Sequence, residues 1–148
     1  LEYFSGWRGE PEVGGGILYE TGIHYLDILQ YLLGAPKEVV ATKLYTTKHK
    51  DGVIEDTVYS LVDYGNFGGT IESTIATEPH NIESSISLLG SNGYIKIGGK
   101  ALNIIDQGSC PNHPDVYKNL QDFNLAQTYN VITLIEDIYN KAGVTYGK

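Results

Sequence analysis

The chain has 148 residues, enough for one domain that buries a core without disulfides or metals. It is 41% hydrophobic and 19% charged, as globular proteins are, and no apolar run reaches the ~18 residues of a membrane span. Ten basic and eighteen acidic residues give a net charge of −8 with no basic cluster, which argues against nucleic acid as a partner. The single cysteine, Cys110, excludes an internal disulfide and any C-x-x-C motif. The opening LEYFSGWRGE has no basic-then-apolar leader pattern, so a cytoplasmic location is expected. Twelve tyrosines are spread along the chain and suggest many half-buried positions.

Residues 1 to 16 read as a loop punctuated by Gly6, Gly9, Pro11 and a glycine triplet. A first helix follows over residues 17 to about 33, closed by Gly34-Ala35-Pro36. The period then changes. EVVATKLYTT (38–47), DTVYSLVDY (56–64), GGTIESTIAT (68–77), IESSISLLG (82–90) and GYIKIGG (93–99) read as strands, with ALNIID (101–106) as a short sixth. Tight turns join them, so the pairing must be antiparallel. In the third strand Ile71, Ser73 and Ile75 share one face. Residues 107–114 read as a loop, and from Asp115 to about Ala142 the chain is helical again, with Val131, Leu134, Ile135 and Ile138 as its apolar stripe. The fold class is α+β, an open-faced, mainly antiparallel sheet of five to six strands with helices on one face.

The first helix holds the chemistry. On a wheel at about 100° per residue with Glu20 at zero, His24 falls near 40°, Asp27 near −20° and Tyr31 near 20°. The opposite side carries Leu18, Tyr25, Leu26, Leu29, Leu32 and Leu33, with Gly22 allowing a close approach to the sheet. The stripe is either the wet side of an amphipathic helix or a site. It contains no lysine or arginine and is flanked by Ile17, Ile23 and Ile28, which favours a partly covered site. Asp27 would hold one ring nitrogen of His24 and leave the other for proton transfer. A metal reading would join Glu20 and His24, at i, i+4, with Asp27, His49, His80 or His113; no second paired motif supports it. The glycines before the helix would permit a tight entry and leave its first amides open to an anion or polar ligand.

The stretch WRGEPEVGGGILYETGIHYLDILQYLLGAP resembles the start of the C-terminal domain of the glucose–fructose oxidoreductase, inositol dehydrogenase and MocA family. Gly14 to Asp27 follow that family's G-G-G-x-L-x-D-x-G-x-H-x-x-D pattern at nearly every fixed position. YGNFGGTIEST, SLLGSNGYIKIGGKALN and VITLIEDIYN are similar to its strands and closing helix. The resemblance implies a sugar or polyol dehydrogenase using NAD or NADP, whose N-terminal Rossmann domain binds the dinucleotide. Residues 1–148 would then be the C-terminal substrate-binding and oligomerisation domain, inactive alone, since no G-x-G-x-x-G occurs in them. By the same resemblance His24 is the catalytic histidine and Asp27 its partner, while Glu20, Gly16 and Tyr19 contact substrate. Glu20 departs from the family's usual aspartate by one methylene. TEPHNIESSISLLGSNGYIKIGGKALN is similar to UDP-N-acetylglucosamine-type 3-dehydrogenases, which implies a nucleotide sugar.

Trp7 and Arg8 precede the glycines and are expected either at the domain junction, touching cofactor, or packing a loop onto the core. The sheet face away from the helices, with small residues such as Thr74, Ala76, Ser85 and Ser87, is expected to pair with a second copy. The alternative reading is a non-catalytic sugar-binding or assembly module.

Overall fold

The structure is a computed structural model and describes residues 6–48, 54–112 and 128–144; for 128–130 only the backbone is considered. His49, His113 and the expected start of the second helix at Asp115 lie outside those residues. The chain divides into two compact units, residues 1–76 with 125–148, and residues 77–124.

The first unit opens with a 3-10 turn at Gly6–Gly9 and a π turn at Leu18–Gly22, which runs directly into α1 (Ile23–Leu33). β1 (Glu38–Tyr45), β2 (Thr57–Asp63) and β3 (Gly68–Thr74) follow, and α2 (Thr128–Lys141) completes it. The strands form an antiparallel sheet in the order β1-β2-β3. Val39 pairs with Val62 and Leu44 with Val58, with a bulge between Val39 and Ala41. β3 aligns Ile71 with Ser60. These residues share the face toward the helices. Val39, Val58, Val62 and Ile71 meet Leu26 of α1 and Val131, Leu134, Ile135 and Ile138 of α2 in one buried cluster. The apolar stripe of α2 is thus the one its sequence implies. Each such side chain contributes roughly 1.5–3 kcal/mol by leaving water.

The other face of this sheet is not the small-residue surface expected. Lys43 and Glu72 flank Tyr59 on it. Ala76 follows the end of β3, and Ser85 and Ser87 belong to the second unit. Tyr45, Tyr59 and Leu61 stand exposed on this face, Tyr45 and Tyr59 edge to face at 6.1 Å. Thr74 is there as expected, its hydroxyl 2.8 Å from that of Thr57.

The second unit carries β4 (Ile86–Gly90), β5 (Gly93–Gly98) and β6 (Ile104–Ser109), antiparallel in that order. All six expected strands are present, hydrogen-bonded as two three-stranded sheets. The sixth lies three residues later than its sequence pattern suggests and takes in residues expected to be loop. Its only buried apolar side chains among the described residues are Ile86 and Ile97, which pair directly. Lys96 bridges Glu83 at 3.0 Å and Asp106 at 3.2 Å. No helix of the described residues is long and apolar enough to cross a membrane.

Candidate active site

The three glycines each make room for a different part of the chain itself. A Cβ on Gly14 would strike the Arg8 carbonyl, so this glycine lets the Trp7–Arg8 turn press against the helix entry. A Cβ on Gly15 would lie 2.9 Å from the Tyr19 ring. A Cβ on Gly16 would meet the Glu55 carboxylate and lie 2.6 Å from the Tyr139 hydroxyl. Gly15 and Gly16 also have φ of +71° and +90°, which L side chains rarely adopt.

The helix entry is closed from within. Glu55 Oε1 accepts a hydrogen bond from the Ile17 N–H at 2.9 Å and another from the Tyr139 hydroxyl at 2.6 Å. The Leu18 N–H donates to the Tyr139 oxygen at 3.1 Å. Glu55 is 4% exposed and Tyr139 2%. The first amides of a helix lack intrahelical acceptors and attract negative charge, and here the chain's own carboxylate meets them. The expected opening for a ligand anion at this point is therefore filled. Gly16 and Tyr19, expected as substrate contacts, are engaged in the same packing. Tyr19 stacks on Tyr139 with ring centroids 5.6 Å apart. Desolvation, and then the Glu136 charge, push the Tyr19 phenol above its usual value.

The π turn alters the wheel drawn from sequence. Its i→i+5 bonding rotates successive residues less than an α-helix does, so residues before and after it do not keep a common 100° phase. Thr21 contributes by returning its hydroxyl to the Ile17 carbonyl at 3.1 Å. Gly22, expected to bring the helix close to the sheet, instead leaves room for Leu18, whose side chain would lie 2.8 Å from an added Cβ.

Glu20 lies in the π turn, whereas His24, Asp27 and Tyr31 share α1 and differ in burial. Glu20 is largely covered and its Oε2 accepts from Arg8 Nε at 3.0 Å. The Arg8 guanidinium lies over the Trp7 ring, 4.4 Å from its centroid, while the indole itself is 50% exposed. His24 and Tyr31 are exposed. Asp27 is buried and its Oδ1 has no hydrogen-bond partner. The expected Asp27–His24 hydrogen bond is not formed: α1 turns the carboxylate inward and the imidazole outward. No three histidine, cysteine or acidic groups converge on a metal position among the described residues.

Sequence reasoning missed Glu55 and Tyr139. Tyr139 follows Ile135 and Ile138 on the apolar stripe of α2, and that spacing marks it as inward-facing. Glu55 gives no such signal, because an acid at the start of a strand ordinarily stays in water.

The oxidoreductase family defined by the C-terminal alpha/beta domain of the glucose–fructose oxidoreductase, inositol dehydrogenase and MocA proteins matches residues 2–142. The chain belongs to this family. Within it, the chain is similar to the WlbA dehydrogenase of Bordetella pertussis, solved in complex with NADH and UDP-GlcNAcA. The two are 29% identical with a TM-score of 0.81, over 96% of this chain and 48% of that one. The WlbA protein of Chromobacterium violaceum, solved with the same two ligands, is 26% identical with a TM-score of 0.75 over the same shares. Dehydrogenase FPY6 of Fusarium mangiferae is 33% identical over 100 residues, 64% of this chain and 28% of that one. The chain thus spans about half the length of the solved family members it matches, and less of the curated one.

Proposed function

We propose that this chain is the substrate-facing half of an NAD(P)-dependent dehydrogenase whose dinucleotide-binding half lies outside the 148 residues. The substrate class is a sugar or polyol, with a nucleotide sugar favoured by the similarity to the two WlbA proteins. The observation that carries the reading is that this similarity extends over 96% of the chain, including the helix on which His24 stands exposed. A cytoplasmic location fits such an enzyme.

His24 takes the proton of the reacting hydroxyl as the carbinol hydrogen leaves with its electron pair, and returns it in the reverse direction. Asp27, buried on the same helix with Oδ1 lacking a hydrogen-bond partner, is retained as the second acid of the site without a bond to His24. Glu20, held by Arg8 Nε at 3.0 Å, accepts from a neighbouring substrate hydroxyl. When bound, NAD or NADP supplies the hydride acceptor. Trp7 and Arg8 are the groups of this chain available to it. The helix-entry amides do not suit its phosphates, since Glu55 and Tyr139 already hold them.

The outward face of the first sheet supports a second role, pairing with another copy. Tyr45, Tyr59 and Leu61 stand exposed there, with Lys43 and Glu72 on either side of Tyr59. Face-to-face pairing would bury this face with twofold symmetry.

The test is His24→Ala in the full-length protein. Turnover should fall by about 10²–10⁴, the typical cost of losing a positioned acid/base, while dinucleotide affinity stays unchanged. Turnover near the wild-type rate would remove His24 from the mechanism. A wild-type protein that binds sugar but neither binds nor reduces a nicotinamide would leave only a binding module.

A further inference from the structure

Three segments far apart in sequence meet at one point: the glycine entry, Glu55 before β2, and Tyr139 in α2. The Ile17–Glu55 bond spans 38 positions, Tyr139–Glu55 84, and Leu18–Tyr139 121. We propose that Glu55 and Tyr139 are positioning residues, which fix where Glu20 and His24 stand by locking the start of their helix. The inference rests on the dehydrogenase reading above.

The lock acts on backbone. Its donors are the Ile17 and Leu18 amides, and the chain runs from them through the π turn, which carries Glu20, into the first turn of α1, which carries His24, with no break. Anything that moves those amides moves both groups. The acceptors are themselves fixed. Tyr139 sits on α2 beside fully buried Ile135 and Ile138, and its ring is held against Tyr19. Gly16 leaves no slack, because its Cα already lies where no side chain would fit. The entry is therefore aligned to α2 and β2, elements of the core, and not to the loop before it. Misplacing a reacting group by about 1 Å can lower a rate on the order of 10²-fold.

Tyr139→Phe in the full-length protein tests this, since it keeps the ring and its stacking and deletes the hydroxyl. The expected result is a fall in kcat of roughly 10- to 100-fold, with the dinucleotide KM unchanged. The Ile17 and Leu18 amides should exchange faster with solvent. The imidazole resonances of His24 should move although His24 is untouched. Glu55→Gln, which keeps an acceptor oxygen, should recover most of the activity that Glu55→Leu loses. Faster amide exchange with unchanged kcat and unmoved His24 resonances would overturn the proposal by reducing the lock to a stability element. Unchanged exchange would overturn it by showing that the bonds do not hold the entry. Should the wild-type protein itself oxidise no sugar, the dehydrogenase reading fails, and amide exchange with the His24 resonances still decides whether the lock positions the helix.

Discussion

The two sheets have the same strand count and the same antiparallel order, yet they are supported differently. β1–β3 packs Val39, Val58, Val62 and Ile71 against two helices of the same unit. β4–β6 buries only Ile86 and Ile97 among the described residues, and Leu89 on β4 remains 85% exposed. The first sheet has its apolar cover within its own unit, whereas the second leans on short turns, ladder bonds and the Glu83–Lys96–Asp106 charges. Among the described residues, buried apolar contacts therefore concentrate in the first unit, where the buried acids also lie.

The largest expected effect that sharpens this contrast is in the core. Ile135→Ala removes a fully buried side chain and should destabilise the protein by about 2–5 kcal/mol. Leu89→Ala on β4 should stay within about 0.5 kcal/mol. Urea unfolding of both variants checks the pair, and equal losses would break the contrast.

Next comes Asp56, fully buried at the mouth of β2. Its carboxylate accepts from the Thr47 and Lys48 amides, at 3.0 and 2.8 Å, and from the Thr57 hydroxyl at 3.1 Å. Asp56→Ala leaves those donors unmatched and should cost about 1–3 kcal/mol, with Asp56→Asn milder. Thermal unfolding that does not separate the two would show that the donors find other partners.

The outward face of the first sheet gives a third test. Leu61→Asp replaces an exposed apolar side chain next to Tyr59 on this face without touching the core. Sedimentation at micromolar concentration should show the oligomer shifting toward monomer. An oligomer indifferent to Leu61→Asp would mean that association uses another surface.

The smallest effect is in the second sheet and depends on pH. Hydrogen bonds from Lys96, then from Ser85, hold the Glu83 carboxyl below its ordinary value. Hydrogen bonds to Glu83 and then Asp106 raise the Lys96 ammonium. A lowered carboxyl stabilises the fold above its ordinary range, and that contribution is lost as pH falls through the folded value. A raised amine stabilises below its ordinary range, and its contribution is lost as pH rises through the folded value. Both groups are exposed, so the effect should be slight and weaken with salt. Amide protection in β4 and β5, measured relative to the intrinsic exchange rate at each pH, should fall in acid, and an equal fall in β1–β3 would detach it from this cluster.

Much of the fold is legible because patterns of period two and near four survive in the strands and in α2. Val131, Leu134, Ile135 and Ile138 all go where their spacing sends them. β6 slips because Gln107, Gly108 and Ser109 look like loop residues and are held as strand by pairing with Lys96, Ile95 and Tyr94 of β5. The site is less legible for two physical reasons. A uniform helical wheel cannot register a π turn, which shifts Glu20 relative to His24, and it does not say that Asp27, on the same α1 as His24, is buried while His24 is exposed. And a buried acid such as Glu55 depends on a tyrosine 84 positions away, a partner that no local pattern names.

That separation also sets an order of assembly. A chain emerging from its N-terminus makes the glycine entry early and Tyr139 almost last. Closing so long a loop is an entropic cost that grows slowly with length and is repaid only once α2 has docked. Until then the Leu18 amide lacks its Tyr139 acceptor, and Glu55 holds the Ile17 amide without the Tyr139 hydroxyl. The helix entry is thus completed only when α2 is in place, and a truncation before Tyr139 leaves Glu55 alone to hold it.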